Sequence, residues 1–118
     1  MTRREFAVHV RQPHPRVSVI DLHGEITSAA EPALTATYAQ ALAQATPGIL
    51  LNFSDVDYIN STGIALVVSF LSQTRAAQRT LMACGLSEHY IEIFRITRLA
   101  EYMQVFPNEA SALQSHDA

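Results

Sequence analysis

The chain predicts an α/β fold: a mixed sheet of four to five strands with helices mainly covering one face. Three observations carry this. Two alternating runs meet across a proline-rich turn, which predicts an antiparallel hairpin. Short, nearly continuous apolar runs then alternate with longer helical patterns, which predicts parallel pairing with crossover helices. The residues are also numerous and apolar enough for a core, with 118 in all, 48% hydrophobic and 16% charged, so one domain over residues 1–118 is expected, its core about 6–113.

In "EFAVHVRQ", Phe6, Val8 and Val10 share a face. In "RVSVIDL", Val17, Val19 and Asp21 oppose Ile20 and Leu22. "QPHP" separates the two, because Pro13 and Pro15 have no N–H for a ladder. "SAAEPALTATYAQALAQA" predicts a helix: Ser28 and Glu31 have capping-box spacing, and Leu34, Tyr38, Ala41, Leu42 and Ala45 form its stripe. Pro47-Gly48 ends it, and "ILLNF" follows as a buried strand. A helix from about Thr62 to Ala77, the strand "TLMAC", a helix capped by Ser87, a short strand in "YMQVF" and a helix opened by Pro107 complete the order. In the Ser87 helix, Tyr90, Ile91, Phe94 and the stem of Arg95 are expected to face inward.

Composition excludes several chemistries. A net charge of −3 gives no basic stripe for nucleic acid. All eight basic residues are arginine, so a Walker lysine and a Schiff base are absent. One cysteine, Cys84, forms no internal disulfide, and it reads as a small buried hydrophobe. The N-terminal "MTRREFAVHV" lacks a leader's apolar run, and Ile64–Val68 is too short to insert in a membrane. The chain is expected to be cytoplasmic. The histidines have no zinc spacing, Asp55 and Asp57 read as a solvated pair rather than a magnesium site, and no metal or cofactor is expected. Arg95 and Arg98 are read as partners of Glu92 and Glu101.

The run "DVDYINSTGIALVVSF" is the informative one. A strand ends, and Asn60, Ser61 and Thr62 stand where a helix begins. A helix N-terminus exposes unpaired N–H groups and partial positive charge, which suits a capping side chain and also a phosphate. Ser61 is therefore either a cap or a phosphoacceptor, and Gly63 lets another backbone approach. Along the helix, Ile64, Val67, Val68 and Leu71 are expected to meet the sheet. Leu66 and Phe70 then lie on nearly the opposite side, where they form a docking surface or meet a neighbouring helix.

"YINSTGIALVV" resembles the signature of STAS domains (sulfate transporter and anti-sigma-factor antagonist). "DLHGEIT" and "IFRITRLAEYMQVFPNEASAL" resemble the family's Gly-Glu-Ile strand end and its C-terminal stretch. The resemblance implies a non-enzymatic anti-sigma-factor antagonist that switches partners. When unphosphorylated it binds a GHKL-type serine-kinase anti-sigma factor. Phosphorylation of Ser61 releases it, and a PP2C-type phosphatase resets it. Asn60, Thr62, Gly63, Asp57, Gly24, Glu25 and Thr27 are the implied neighbours of Ser61, and Ile59, Leu66 and Phe70 the implied partner contacts, with a homodimer as another use of that surface. The family's usual aspartate before the serine is Asn60 here. Two alternatives stand beside this reading: a STAS subunit docked on the ATPase of a lipid-transporting ABC system, and a hydrolase with Ser61 as nucleophile, for which no oriented base is recognisable. The switch reading requires an accessible Ser61 oxygen and a Leu66–Phe70 surface that is not wholly interior.

Overall fold

The computed structural model describes residues 5–117. Arg3 and Arg4, in the stretch read above for a leader, lie outside the described residues, as does Ala118. The strands are β1 (Ala7–His14), β2 (Val17–Ile26), β3 (Gly48–Ile59), β4 (Thr80–Cys84) and β5 (Gln104–Phe106). The helices are α1 (Glu31–Ala43), α2 (Ser61–Ala76), α3 (Glu88–Ile96) and α4 (Glu109–Gln114), with single 3-10 turns at Ser28–Ala30 and Leu99–Glu101. The sheet order is β1-β2-β3-β4-β5. β1 runs antiparallel to β2, and the remaining neighbours are parallel.

Alternation along the strands divides the core between two faces. Ile20 and Leu22 of β2, Ile49, Leu51 and Phe53 of β3, and Leu81 and Ala83 of β4 point to the face packed by α1, α2 and α3. Val17, Val19, Leu50, Met82 and Cys84 point to the other, where α4 contributes Ala112. The expected one-sided helical cover is thus the larger layer, and α4 is a smaller cover behind the sheet.

Several local expectations are corrected. Ser28 does not cap α1. Thr27 Oγ1 accepts from the Ala29 N–H at 3.3 Å and caps the 3-10 turn, and α1 starts at Glu31 with Pro32 in its first turn. Ala45 lies beyond the helix and is exposed. β3 extends through the supposed loop to Ile59, because β2 continues beside it with register irregularities at Asp21/His23 and Gly24/Glu25. In α3, Phe94 is buried and Tyr90 half-buried, but Ile91 and Arg95 face solvent, since one short helix offers the sheet only a narrow stripe. Arg95 pairs with Glu92 and Arg98 with Glu101, as expected.

The face of α2 that packs inward is also corrected. Gly63, Leu66, Val67, Phe70, Leu71 and Thr74 are buried, a stripe at i, i+3, i+4, i+7, i+8 and i+11. Leu66 is 8% and Phe70 1% exposed, whereas Val68 is 48% exposed. The cause is α1. Its Tyr38 stacks on Phe70 with ring centroids 4.1 Å apart and donates a hydrogen bond to the Phe70 carbonyl at 3.2 Å. A helix lying between a sheet and a second helix buries a sector wider than the sheet alone would require. Leu66 and Phe70 therefore belong to the core and form neither a docking surface nor a dimer face, and Ile59, 5% exposed, is interior too.

Candidate functional site

The site is the junction of β3 and α2. The cap is Asn60: its Oδ1 accepts from the Gly63 N–H at 3.0 Å, and its carbonyl accepts the first helical bond from the Ile64 N–H at 3.0 Å. Ser61 is thereby freed from capping. It is the first residue of a 16-residue helix and faces solvent, while Thr62 beside it is half-buried. Neither bond made by Asn60 uses the N–H of Ser61 or Thr62, and the first turn of α2 has no acidic residue. An anion carried on Ser61 would therefore sit at the positive end of the helix dipole with no carboxylate of that turn against it.

Contacts from β2 and from α3 fix the position of this helix start. Gly63 rests on the end of β2, where a Cβ would stand 2.5 Å from the Ile26 carbonyl oxygen. The same oxygen accepts the Asn60 N–H at 3.2 Å. From the other side, the Tyr90 hydroxyl accepts the Ile59 N–H at 2.8 Å and donates to the Ile59 carbonyl at 3.3 Å. The sequence pattern marks Tyr90 only as a core residue. The signal that it does more is the choice of tyrosine over phenylalanine at a half-buried position.

The strand pairing brings the implied neighbours together. Glu25 lies opposite Tyr58 and Ile26 opposite Ile59, so the Gly24–Thr27 segment runs alongside Asp57–Asn60. Gly24 has φ +85°, the left-handed region that glycine adopts at little cost, and the register shifts there. Asp57 is exposed. Asp55 belongs to a different group, with its Oδ2 2.7 Å from His23 Nδ1. The exposed large apolar side chains of this stretch are Tyr58, 46% exposed, at the end of β3, and Val68, two turns beyond Ser61 on the same helix face.

A second polar group lies behind the sheet, away from Ser61. Arg11 Nε donates to Asp21 at 2.5 Å and its Nη1 to Glu109 at 3.1 Å, while Asn52 donates to Asp21 at 2.8 Å. Burial pushes the Asp21 carboxyl up, but hydrogen bonds from Arg11 and Asn52 outweigh it and hold the group below the usual carboxylate range. Next to it, burial pushes the Cys84 thiol up to about 11, as the small buried hydrophobe expected. Among the described residues, no group of three or more His, Cys, Asp or Glu side chains could hold a metal ion.

Together these features define a mixed α/β sheet domain that presents a capped helix start and two strand ends on one edge. The STAS domain model matches residues 10–112, and the chain belongs to the STAS domain family. It is 30% identical over 86 residues to BtrV of Bordetella bronchiseptica, named as an anti-sigma factor antagonist, covering 73% of this chain and 72% of that protein. Among solved structures it is similar to an anti-sigma factor antagonist from Mycobacterium paratuberculosis, with a TM-score of 0.82, 20% identity and coverage of 94% and 93% of the two chains. It is also similar to SpoIIAA of Bacillus in the phosphorylated form, with a TM-score of 0.75, 22% identity and coverage of 94% and 100%. These likenesses agree with the fold. Among the described residues, no helix is long and apolar enough to cross a membrane.

Proposed function

We propose that the protein is a cytoplasmic anti-sigma-factor antagonist that works by partner switching and has no catalytic activity of its own. Unphosphorylated, it binds a GHKL-type serine-kinase anti-sigma factor. Transfer of a phosphoryl group to Ser61 releases it, and a PP2C-type phosphatase restores it. The observation that carries this reading is the division of labour at the helix start: Asn60 caps α2, and Ser61 is left exposed with no structural duty. A hydroxyl so placed accepts a charge of about −1.5 to −2 without unfolding the helix that bears it.

The contact surface differs from the one the sequence suggested. Ile59, Leu66 and Phe70 are interior, so the condition that Leu66 and Phe70 be accessible is not met, and the switch proposed here rests on Ser61 without partner contacts from these three side chains. The exposed large apolar side chains of this stretch are instead Tyr58, three residues before Ser61, and Val68, two turns after it. A phosphate on Ser61 costs desolvation and repels in a partner interface that fitted the neutral hydroxyl.

The test is incubation with the cognate kinase and ATP. One phosphate on Ser61 is expected in the wild type and none in Ser61→Ala. Ser61→Ala should keep the complex in ATP, and Ser61→Asp should weaken it on the order of tenfold or more, about 1.4 kcal/mol. Val68→Asp should weaken binding with little change in the urea midpoint. A kinase complex indifferent to Ser61→Asp, or a phosphate mapped elsewhere, would overturn the proposal.

A further inference from the structure

Among the described residues, α4 is the one helix on its side of the sheet, and it is poorly anchored. Six residues are too few for a helix to persist unaided. Of these only Ala112 is fully buried, with Leu113 packed partly against the same cluster. Its other ties are polar and sit at its two ends. At the N-terminal end, Asn108 caps it through the Ser111 N–H at 2.9 Å, and Glu109 grips Arg11, whose guanidinium is also held by Asp21. At the C-terminal end, Asp117 lies 2.7 Å from His14 Nε2, and the Ser115 hydroxyl is 3.8 Å from the Met82 sulfur. Beneath it lies a continuous apolar patch formed by Val17, Val19, Leu50, Met82, Cys84 and Phe106.

We propose that α4 is a strap, latched by Arg11, that opens as a unit while the sheet and its other three helices stay folded, and so uncovers this patch. The reasons are comparative. The opposite layer is held by α1, α2 and α3 through the larger core cluster, whereas the strap is held by one buried alanine, part of a leucine, the half-buried His116 ring against Gly48 and charged pairs accessible to water. Local stability follows buried apolar contact, so the strap lies at the low end of the range. Arg11 is the latch because it ties α4, through Glu109, to two strands, its own β1 and, through Asp21, β2. This inference stands apart from the partner switch and does not depend on Ser61.

Cys84 supplies the readout, since its sulfur is fully buried under this layer. In the intact protein, the labelling rate of Cys84 by an excess of 5,5′-dithiobis(2-nitrobenzoate) should depend on urea with a slope well below that of global unfolding measured by circular dichroism. Glu109→Gln, which removes the latch charge and leaves the Asn108 cap, should raise that rate about tenfold at low urea, with the global midpoint little changed. Asp117→Asn, at the other end, should raise it less. Labelling with the full unfolding slope, or a rate unmoved by Glu109→Gln, would overturn the strap. Loss of Ser61 phosphorylation would leave it intact.

Discussion

Gly63→Ala tests how the helix start is seated, and two physical terms give it opposite signs. Inside a helix, alanine is favoured over glycine by about 1 kcal/mol, and Gly63 is not among the residues with positive φ, so propensity alone makes the variant more stable. Packing argues the reverse. The added Cβ would stand 2.5 Å from the Ile26 carbonyl oxygen, 2.7 Å from Ile59 Cγ2 and 3.0 Å from Ile26 Cγ2. Carbon–oxygen contacts settle at about 3.3 Å, so α2 must retreat by roughly 0.8 Å at its first turn. The obstacle is strand backbone, which gives way less readily than a side chain. Retreat also stretches the bond from Asn60 N–H to that oxygen, worth about 1 kcal/mol. Overpacking in a filled site costs about 1–3 kcal/mol. Against the propensity gain, the net expectation is a loss of about 1–3 kcal/mol, a fall in Tm of roughly 4–12 °C. Urea denaturation followed by circular dichroism measures it, and amide spectra should show shifts centred on Asn60 to Ile64. Equal or greater stability of Gly63→Ala would refute the claim that glycine is required here by close approach.

Two further outcomes follow from the same geometry. Phe70→Ala removes a ring stacked on Tyr38 inside the core and should cost about 3–5 kcal/mol in urea denaturation, whereas Val68→Ala, on the solvent side, should cost under about 1 kcal/mol. For acid, His116 is the informative group. Its ring lies against Gly48, and burial, then Arg16 and His14, lower its pKa from 6.5. The unfolded chain binds that proton more readily, so this group's contribution is fully present above pH 6.5 and is lost as pH falls through that value toward the lower folded one. Urea midpoints at pH 7.5 and 5.5 should fall further in the wild type than in His116→Gln, and equal falls would contradict it.

Much of the fold was legible because strands carry their faces in alternation. Val17 and Val19 against Ile20 and Leu22 separated correctly, and the capping residues Ser87 and Asn60 marked real helix starts. The inward face of α2 was not legible, since Ile64, Leu66, Val67, Val68, Phe70 and Leu71 crowd most of the wheel and several stripes are available. The best local clue was Gly63: taken as a contact point, it sets the phase that includes Leu66, Val67 and Phe70. The long β3 was hidden too, because Ser54, Asp55 and Asp57 read as loop until a neighbouring strand supplies their backbone partners. At the site, the residue types and their order were readable, but the choice between Asn60 and Ser61 as cap was open, as either side chain meets the chemical requirement.

By itself the sequence determined the element order, the two-faced strands, the position of a helix start rich in hydroxyls, and the family signature. The tertiary structure decided which of those polar groups is occupied and which large apolar groups are hidden. The reason is that alternation and capping chemistry are local, whereas the burial of Phe70 depends on Tyr38 arriving from another helix. The exposure of Ser61 depends likewise on Asn60 turning to the Gly63 amide while β2 holds the backbone beneath it.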